Sequence, residues 1–221
     1  MITPILIFDL DGTLTDPSAG IIACLRHALA EIGAEIPPSD ILHQCIGPPL
    51  RDALLSILGD DATADRALAL FRECYGRTGL FENQPYPGIE QALEVLADSA
   101  KMFVATSKPQ EFADRIIDHF DLRRFFGAIY GCGMNGELAD KAELIRHILD
   151  RENVSASNAI VIGDRKHDIL AARANGIRSI GVTWGFGSSD ELRDAGADAI
   201  CTSVEALPEC CFSACIIRPG L

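Results

Sequence analysis

Five short apolar runs punctuate the chain, at residues 5–8, 102–105, 159–162, 179–182 and 198–201. Runs of this length with little polar alternation suit parallel strands buried on both faces. Between them, apolar positions recur with helical spacing over residues 89–96, 112–120, 143–149 and 169–174. Strand alternating with helix predicts an α/β fold with right-handed crossovers. Residues 15–85 break the rhythm. They hold helical patterns at 21–32, 50–58 and 64–75 and no convincing strand, so they read as a helical insertion after the first strand. The expected division is therefore a core of 1–14 with 86–221 and an insertion of 15–85. The return route, Asn83-Gln84-Pro85-Tyr86-Pro87-Gly88, is rich in breakers, as a linker between two bodies would be.

Composition narrows the class. Of 221 residues 48% are hydrophobic and 23% charged, which fits a globular chain with a real core rather than a disordered or fibrous one. A formal charge of −13 opposes nonspecific attraction to nucleic acid polymers or anionic membranes. An anionic small substrate would need a locally positive site. The sequence has no apolar run of about 18 residues, and residues 1–6 lack a basic leader, so a cytoplasmic protein is expected. The oligomeric state is left open, with a slight lean to a monomer. The eight cysteines are mostly dispersed in apolar stretches without a C-x-x-C pair and read as buried thiols. Cys210, Cys211 and Cys215 form a cluster with no neighbouring histidine to complete a zinc site.

In an open parallel sheet, ligands gather at the carboxyl ends of the strands. After the first run comes Asp9-Leu10-Asp11-Gly12-Thr13, after the second Thr106-Ser107-Lys108, then Lys141 at the expected start of a helix, and after the third Gly163-Asp164 with Asp168 beyond. Taken singly, each is an ordinary turn or helix cap as readily as a functional group. Together they bring carboxylates for a hard cation, a hydroxyl and an ammonium to one rim.

This set resembles the haloacid dehalogenase superfamily of phosphatases over almost the whole chain. The hydrophobic strand followed by D-x-D-G-T is Ile5-Leu6-Ile7-Phe8-Asp9-Leu10-Asp11-Gly12-Thr13-Leu14. The hydroxyl ending an apolar strand is Thr106, the upstream lysine is Lys141, and G-D-x-x-x-D is Gly163-Asp164-Arg165-Lys166-His167-Asp168. Gly47-Pro48-Pro49-Leu50, Ala105-Thr106-Ser107-Lys108-Pro109 and Gly185-Phe186-Gly187-Ser188 are similar to the phosphoglycolate phosphatase-like branch, particularly members described as 5'-nucleotidases. The resemblance implies a Rossmann-like core with a parallel sheet, a helical C1 cap at 15–85, and a Mg²⁺-dependent phosphomonoesterase acting on a small phosphorylated metabolite. A phosphoglycolate phosphatase or a phosphomutase is the alternative enzyme, and a phosphate-binding or phosphoryl-accepting signalling protein the alternative of another class.

The resemblance assigns Asp9 as nucleophile and Asp11 as general acid and base. It assigns Thr106, Ser107 and Lys141 to the phosphate, and Asp9, Asp164, Asp168 and the Asp11 carbonyl to the metal. Arg51 is a candidate for substrate selection, against the reading that it is a solvated helix residue. Two departures stand out. Arg165 occupies a position that is usually serine, and Ala142 follows Lys141 where proline is frequent, which makes Lys108 a rival for the phosphate-holding lysine. His43 and His167 suggest bases, but a lone histidine more often has a structural explanation.

Overall fold

The computed structural model describes residues 3–216, with side chains through Ala214. Six strands form one sheet: β1 (Ile5–Phe8), β4 (Lys101–Pro109), β5 (Ala128–Cys132), β6 (Ala159–Gly163), β7 (Arg178–Val182) and β8 (Ala199–Cys201). Two further two-residue strands, β2 (Thr15–Asp16) and β3 (Gln84–Pro85), pair with each other where the chain leaves the sheet and returns to it. The sheet order is β5-β4-β1-β6-β7-β8 and every pairing is parallel.

The five apolar runs all became strands of this sheet. A sixth strand, β5, escaped the pattern because Ala-Ile-Tyr-Gly-Cys mixes small and polar-tipped residues with a single aliphatic. Its Gly131 is required by close packing, since a Cβ there would lie 2.7 Å from the Lys108 carbonyl oxygen.

Helices α5 (Ile89–Ala97), α6 (Gln110–His119), α7 (Lys141–Glu152), α8 (Lys166–Ala174), α9 (Ser189–Asp194) and α10 (Leu207–Ile216) complete this body. One face of the sheet packs Ile5, Ile7, Phe103 and Val161 against Leu144, Ile145 and Ile148 of α7 and Ala171 and Ala172 of α8. Alternation along β1 turns Leu6 and Phe8 to the other face, where both are also buried. A strand buried on both faces needs an unbroken apolar run, which is why the pattern was readable.

The sheet order also fixes where chemistry can sit. From β1 the chain builds outward through β4 to β5, then returns to the far side of β1 and continues through β6, β7 and β8. Order therefore reverses between β1 and β6, the topological switch point at which such sheets open a crevice beyond their carboxyl ends. The register places Phe8 level with Val104 of β4 and Ile162 of β6. The residues that follow these three positions emerge side by side.

The chain divides into two compact units, one made of the chain up to Thr15 with the chain from Pro85 onward, the other of Asp16–Gln84. The second unit is helical: α1 (Ser18–Glu31), α2 (Ser39–Gln44), α3 (Leu50–Leu58) and α4 (Asp61–Arg77), followed by a 3₁₀ turn at Gly79–Phe81. Its own core includes Leu25, Leu29, Leu42, Leu54 and Tyr75, with Tyr75 stacked on Phe71 at 5.2 Å between ring centroids. Asp60 caps α4 by accepting from the Thr63 N–H.

Candidate active site

The site grows from the β1 end. Asp9 follows Phe8, and its N–H donates to the Ile162 carbonyl at 2.9 Å, carrying the strand pairing one residue further. The chain then reverses: the N–H groups of Leu14 and Thr15 both donate to the Leu10 carbonyl, at 2.9 and 3.1 Å. Gly12 has φ +89°, a conformation that strains any residue with a side chain.

Asp164, immediately beyond β6, is completely buried. A Cβ on Gly12 would lie 2.2 Å from its Oδ2, one on Gly185 would lie 2.4 Å from the same atom, and one on Gly187 would lie 1.9 Å from its carbonyl oxygen. Two chain segments close on Asp164 because three residues lack side chains. The Phe186 N–H donates to Asp164 Oδ2 at 2.7 Å, and the Thr13 hydroxyl lies 3.5 Å from Oδ1. The Trp184 indole N–H secures the Thr13 carbonyl at 3.1 Å. Of the Gly185-Phe186-Gly187-Ser188 stretch, two glycines and one amide therefore bear on Asp164, while Ser188 caps α9.

Asp168 lies in the first turn of α8. Its Oδ2 accepts from the Arg165 N–H at 3.2 Å and its Oδ1 pairs with Lys141 Nζ at 2.9 Å. The backbone N–H of Arg165 is what secures Asp168 Oδ2. The guanidinium turns to Glu191 of α9 at 3.0 Å, so the departure from serine leaves Asp168 held.

Lys141 opens α7 behind its N-cap Asp140. The start of a helix is its positive end, and a buried lysine there opposes both the dipole and desolvation. Two carboxylates offset this, Asp9 Oδ1 at 2.5 Å and Asp168 Oδ1 at 2.9 Å. Burial works to lower the Lys141 pKa, and the charges of Asp168 and Asp9 outweigh it, so the ammonium is held above its usual value. The pair is unequal, because Lys141 faces two carboxylates while Asp9 faces Asp168 and Asp11 as well as one ammonium. Burial therefore dominates at Asp9, Lys141 only partly opposes it, and the carboxyl is pushed up to about 7. Asp164 is raised well above the usual carboxylate value by burial and by the charges of Asp168 and Asp9. Oxygens of Asp9, Asp164 and Asp168 lie within 4.8 Å of one another, a grouping able to hold a metal ion.

Asp11 and Thr106 form the adjoining half. β4 does not stop at Thr106 but continues to Pro109, with its pairing to β5 irregular between Ala105 and Pro109. In that irregular stretch the Thr106 hydroxyl oxygen accepts from the Lys108 N–H at 3.2 Å. Lys108 Nζ reaches Asp11 Oδ2 at 2.8 Å, so both rival lysines enter the site, each on a different carboxylate. Ser107 is half-buried, and its carbonyl accepts from the Cys132 thiol.

The other candidates lie elsewhere. Arg51 belongs to the helical unit, where its guanidinium pairs with Asp61 and Asp65 of α4, each at 2.7 Å. His43 Nδ1 sits 2.6 Å from the Ser39 carbonyl in α2. His167 is half-buried on α8, and burial with Arg165 nearby lowers its pKa. The seven described cysteines are free thiols. The sulfurs of Cys24 and Cys74 lie 2.7 Å apart, and the thiols of Cys201 and Cys210 are hydrogen-bonded. The Cys215 side chain lies outside the described residues.

Residues 6–182 match the model of the haloacid dehalogenase-like hydrolase family. The chain is 45% identical to a 5'-nucleotidase of Pseudomonas aeruginosa over 206 residues, 92% of this chain and 93% of that one. It is 34% identical to the tyrosine-protein kinase PtkA of Mycobacterium tuberculosis (93% and 70%), and 33% identical to a phosphoglycolate phosphatase of Agrobacterium fabrum (84% and 82%). The crystal structure of a predicted phosphatase from Clostridium acetobutylicum superimposes with a TM-score of 0.92 at 38% identity, covering 96% of this chain and all of that one. A buried carboxylate at the switch point, flanked by lysines and further acids, is thus found in a chain that belongs to the haloacid dehalogenase-like hydrolases and is a phosphoric monoester hydrolase.

Proposed function

We propose that the protein is a Mg²⁺-dependent phosphomonoesterase of the cytoplasm. It hydrolyses a small phosphorylated metabolite, 5'-nucleotidase-like in its choice, through a phosphoryl group carried on Asp9. The observation that carries this reading is Asp9 itself. It is buried at the end of β1, on the Lys141 ammonium and in the company of Asp164 and Asp168. The 45% identity to a protein named 5'-nucleotidase supports the choice of substrate class.

Charge supports the cofactor. Asp9, Asp11, Asp164 and Asp168, fully ionised, carry four negative charges against the two positive charges of Lys108 and Lys141, all six residues being buried. The surplus of two matches one divalent cation. Burial and the neighbouring carboxylates raise the carboxyls of Asp9 and Asp164, an unfavourable crowding of negative charge that a cation would relieve. The donors are all hard oxygens, which suits Mg²⁺ better than a soft metal. Asp9, Asp164 and Asp168, with the Asp11 carbonyl, would hold it. When bound it neutralises charge between the nucleophile and the phosphate, whose repulsion is roughly 1 to 4 kcal/mol per unit-charge pair at contact.

The chain's own groups supply the rest. The Asp9 carboxylate attacks phosphorus and the bond to the leaving oxygen breaks, while Asp11 gives that oxygen a proton. Asp11 then takes a proton from water, water attacks phosphorus, and the bond to Asp9 breaks to release phosphate. Thr106 and Ser107 donate hydrogen bonds to the phosphoryl oxygens, and Lys141 offers its charge, once Asp9 is committed to phosphorus. The helical unit acts as the cap that selects the remainder of the substrate, with Arg51 as a contributor. Among the described residues no helix is long and apolar enough to cross a membrane.

The test is turnover, with Mg²⁺, of a panel containing nucleoside 5'-monophosphates, phosphoglycolate and phosphotyrosine. The expected result is release of phosphate with the highest kcat/KM on a nucleotide. A clear preference for phosphoglycolate or phosphotyrosine overturns the substrate class, and no release from any ester overturns the mechanism.

A further inference from the structure

Two buried lysines enter one site, and they do not touch the same acid. Lys141 binds Asp9 and Asp168, whereas Lys108 Nζ lies 2.8 Å from Asp11 Oδ2. Lys108 is placed there by the irregular end of β4, where the Thr106 hydroxyl oxygen accepts its N–H. The side chain that results is 6% exposed. The other Asp11 oxygen, Oδ1, is buried and has no hydrogen-bond partner. Buried polar atoms are nearly always paired, so an orphan oxygen beside a paired one calls for an explanation.

We propose that Lys108 is a positioning residue for Asp11, holding Oδ2 so that Oδ1 alone presents the proton to the leaving group. The proposal rests on Asp11 as the general acid of the reaction above. An oxygen already accepting from an ammonium is a poor place for a proton, because the two hydrogens would face each other. A carboxyl pinned at Oδ2 is therefore protonated at Oδ1, in a single orientation. The proton leaves from Oδ1 to the leaving oxygen as its bond to phosphorus breaks, and returns to Oδ1 from the attacking water. Proton transfer between rigidly placed groups is where such orientation affects rate. Lys108 thus serves the acid, and Lys141 is left to the phosphoryl group.

The distinguishing measurement is dependence on the leaving group. An alkyl phosphate needs its leaving oxygen protonated, while p-nitrophenyl phosphate releases a stable anion and needs little help. Lys108→Met should lower kcat/KM for the alkyl ester by about 100-fold, a typical general-acid contribution. Its loss on p-nitrophenyl phosphate should be at least ten times smaller, and KM for both esters should stay near the native value. Adding Lys108→Met to Asp11→Asn should cost little more than Asp11→Asn alone, because both remove the same step. Lys108→Gln, which keeps a donor for Oδ2, should recover part of the rate, and it carries the same comparison if the methionine variant does not fold.

An equal loss on both esters with raised KM overturns the proposal and makes Lys108 a phosphate clamp. Losses that multiply in the double variant overturn it too. If Asp11→Asn itself shows no leaving-group dependence, the acid role of Asp11 fails. If Asp11→Asn shows it and Lys108→Met does not, only the role given to Lys108 fails.

Discussion

The two units of this chain handle charge in opposite ways. Among the described residues every buried charged side chain lies in the sheet unit: Asp9, Asp11, Lys108, Lys141, Asp164 and Asp168. In the helical unit the ion pairs are at the surface, as with Arg51 on Asp61 and Asp65 or Arg77 on Glu73, and the interior is held by residues such as Leu25, Leu54 and Tyr75. Buried charge costs stability even when paired, while apolar packing supplies it. A core with six charges at one rim is built for something other than folding, and the helical core is not.

The contrast breaks most sharply under substitution. Asp9→Asn keeps the shape of the side chain, leaves Lys141 its bond to Asp168, and removes one of several crowded acids. It should lower kcat by at least about 1000-fold, as removing a nucleophile does, while thermal unfolding shows a Tm within a few degrees of the native value. Leu25→Ala in the helical unit should do the reverse in stability, costing about 2–5 kcal/mol by denaturant unfolding through loss of a buried side chain. Near-native turnover by Asp9→Asn would remove the chemical reading of the buried charges. A collapse of its stability would make them structural.

Removing divalent ions should come next in size. Exhaustive chelation should abolish phosphate release and Mg²⁺ should restore it, while Ca²⁺, with its longer and more numerous oxygen contacts, should restore less. The same carboxyls make ion-free stability depend on pH. Asp9 titrates at about 7 in the folded chain against 3.8 otherwise, and Asp164 is raised as well. Between these values the folded state holds protons that the unfolded chain has released, so stability falls as pH rises, by up to about 1.4 kcal/mol per pH unit for each proton. His167, whose pKa is lowered from 6.5, pulls the other way over part of this window, as one group against two. The chelated protein should therefore melt higher at pH 5.5 than at pH 7.5, and Mg²⁺ should add most at pH 7.5. A chelated protein whose Tm climbs over that interval would show that Asp9 and Asp164 are not held up by their surroundings.

How much of this could be read from sequence also divides along the contrast. The strands of the sheet centre were legible because a strand buried on both faces must be apolar throughout, and β5 was not, because an outer strand can mix residue types. The helix at residues 50–58 was readable from its apolar spacing, whereas α2 and α9, six residues each, are too short to show a period. Asp9, Asp164, Asp168 and Lys141 were candidates because each follows a strand or opens a helix. What sequence could not show is pairing. That Lys108 meets Asp11 depends on how β4 ends, and that Gly12, Gly185 and Gly187 all clear space for Asp164 depends on three distant segments meeting. Arg51 was singled out for its charge, and nothing in the spacing showed that Asp61 and Asp65 would share it.

Gly12 tests the packing around Asp164. Gly12→Ala adds a Cβ 2.2 Å from Oδ2 at a φ of +89°, so both contact and backbone oppose it. The variant should lose about 1–3 kcal/mol of stability and about 10–100-fold in kcat, because Asp164 must shift. Gly59→Ala is the matching control in the helical unit. It has φ +82° but open space around the missing side chain, so it should show the backbone penalty alone and leave kcat unchanged. Equal losses in kcat from the two variants would mean that the crowding at Asp164 has no bearing on turnover.

The smallest effect is expected at Arg51. Its guanidinium donates to both Asp61 and Asp65 from an exposed position, which raises its pKa without making the pairs strong contributors to folding. Arg51→Ala should leave Tm almost unchanged. If Arg51 also orients the leaving group, kcat/KM should fall several-fold for the preferred metabolite and much less for p-nitrophenyl phosphate, because a remote contact contributes to discrimination more than to chemistry. The opposing pattern is equally concrete. The two aspartates already occupy the fork of the guanidinium, and a substrate anion would have to compete with them. An unchanged kcat/KM on both esters would assign Arg51 to the seam between α3 and α4. The helical unit would then act on the substrate through other residues. Asp65→Asn separates the cases further, since it frees part of the guanidinium and should raise kcat/KM for an anionic metabolite only if Arg51 reaches it.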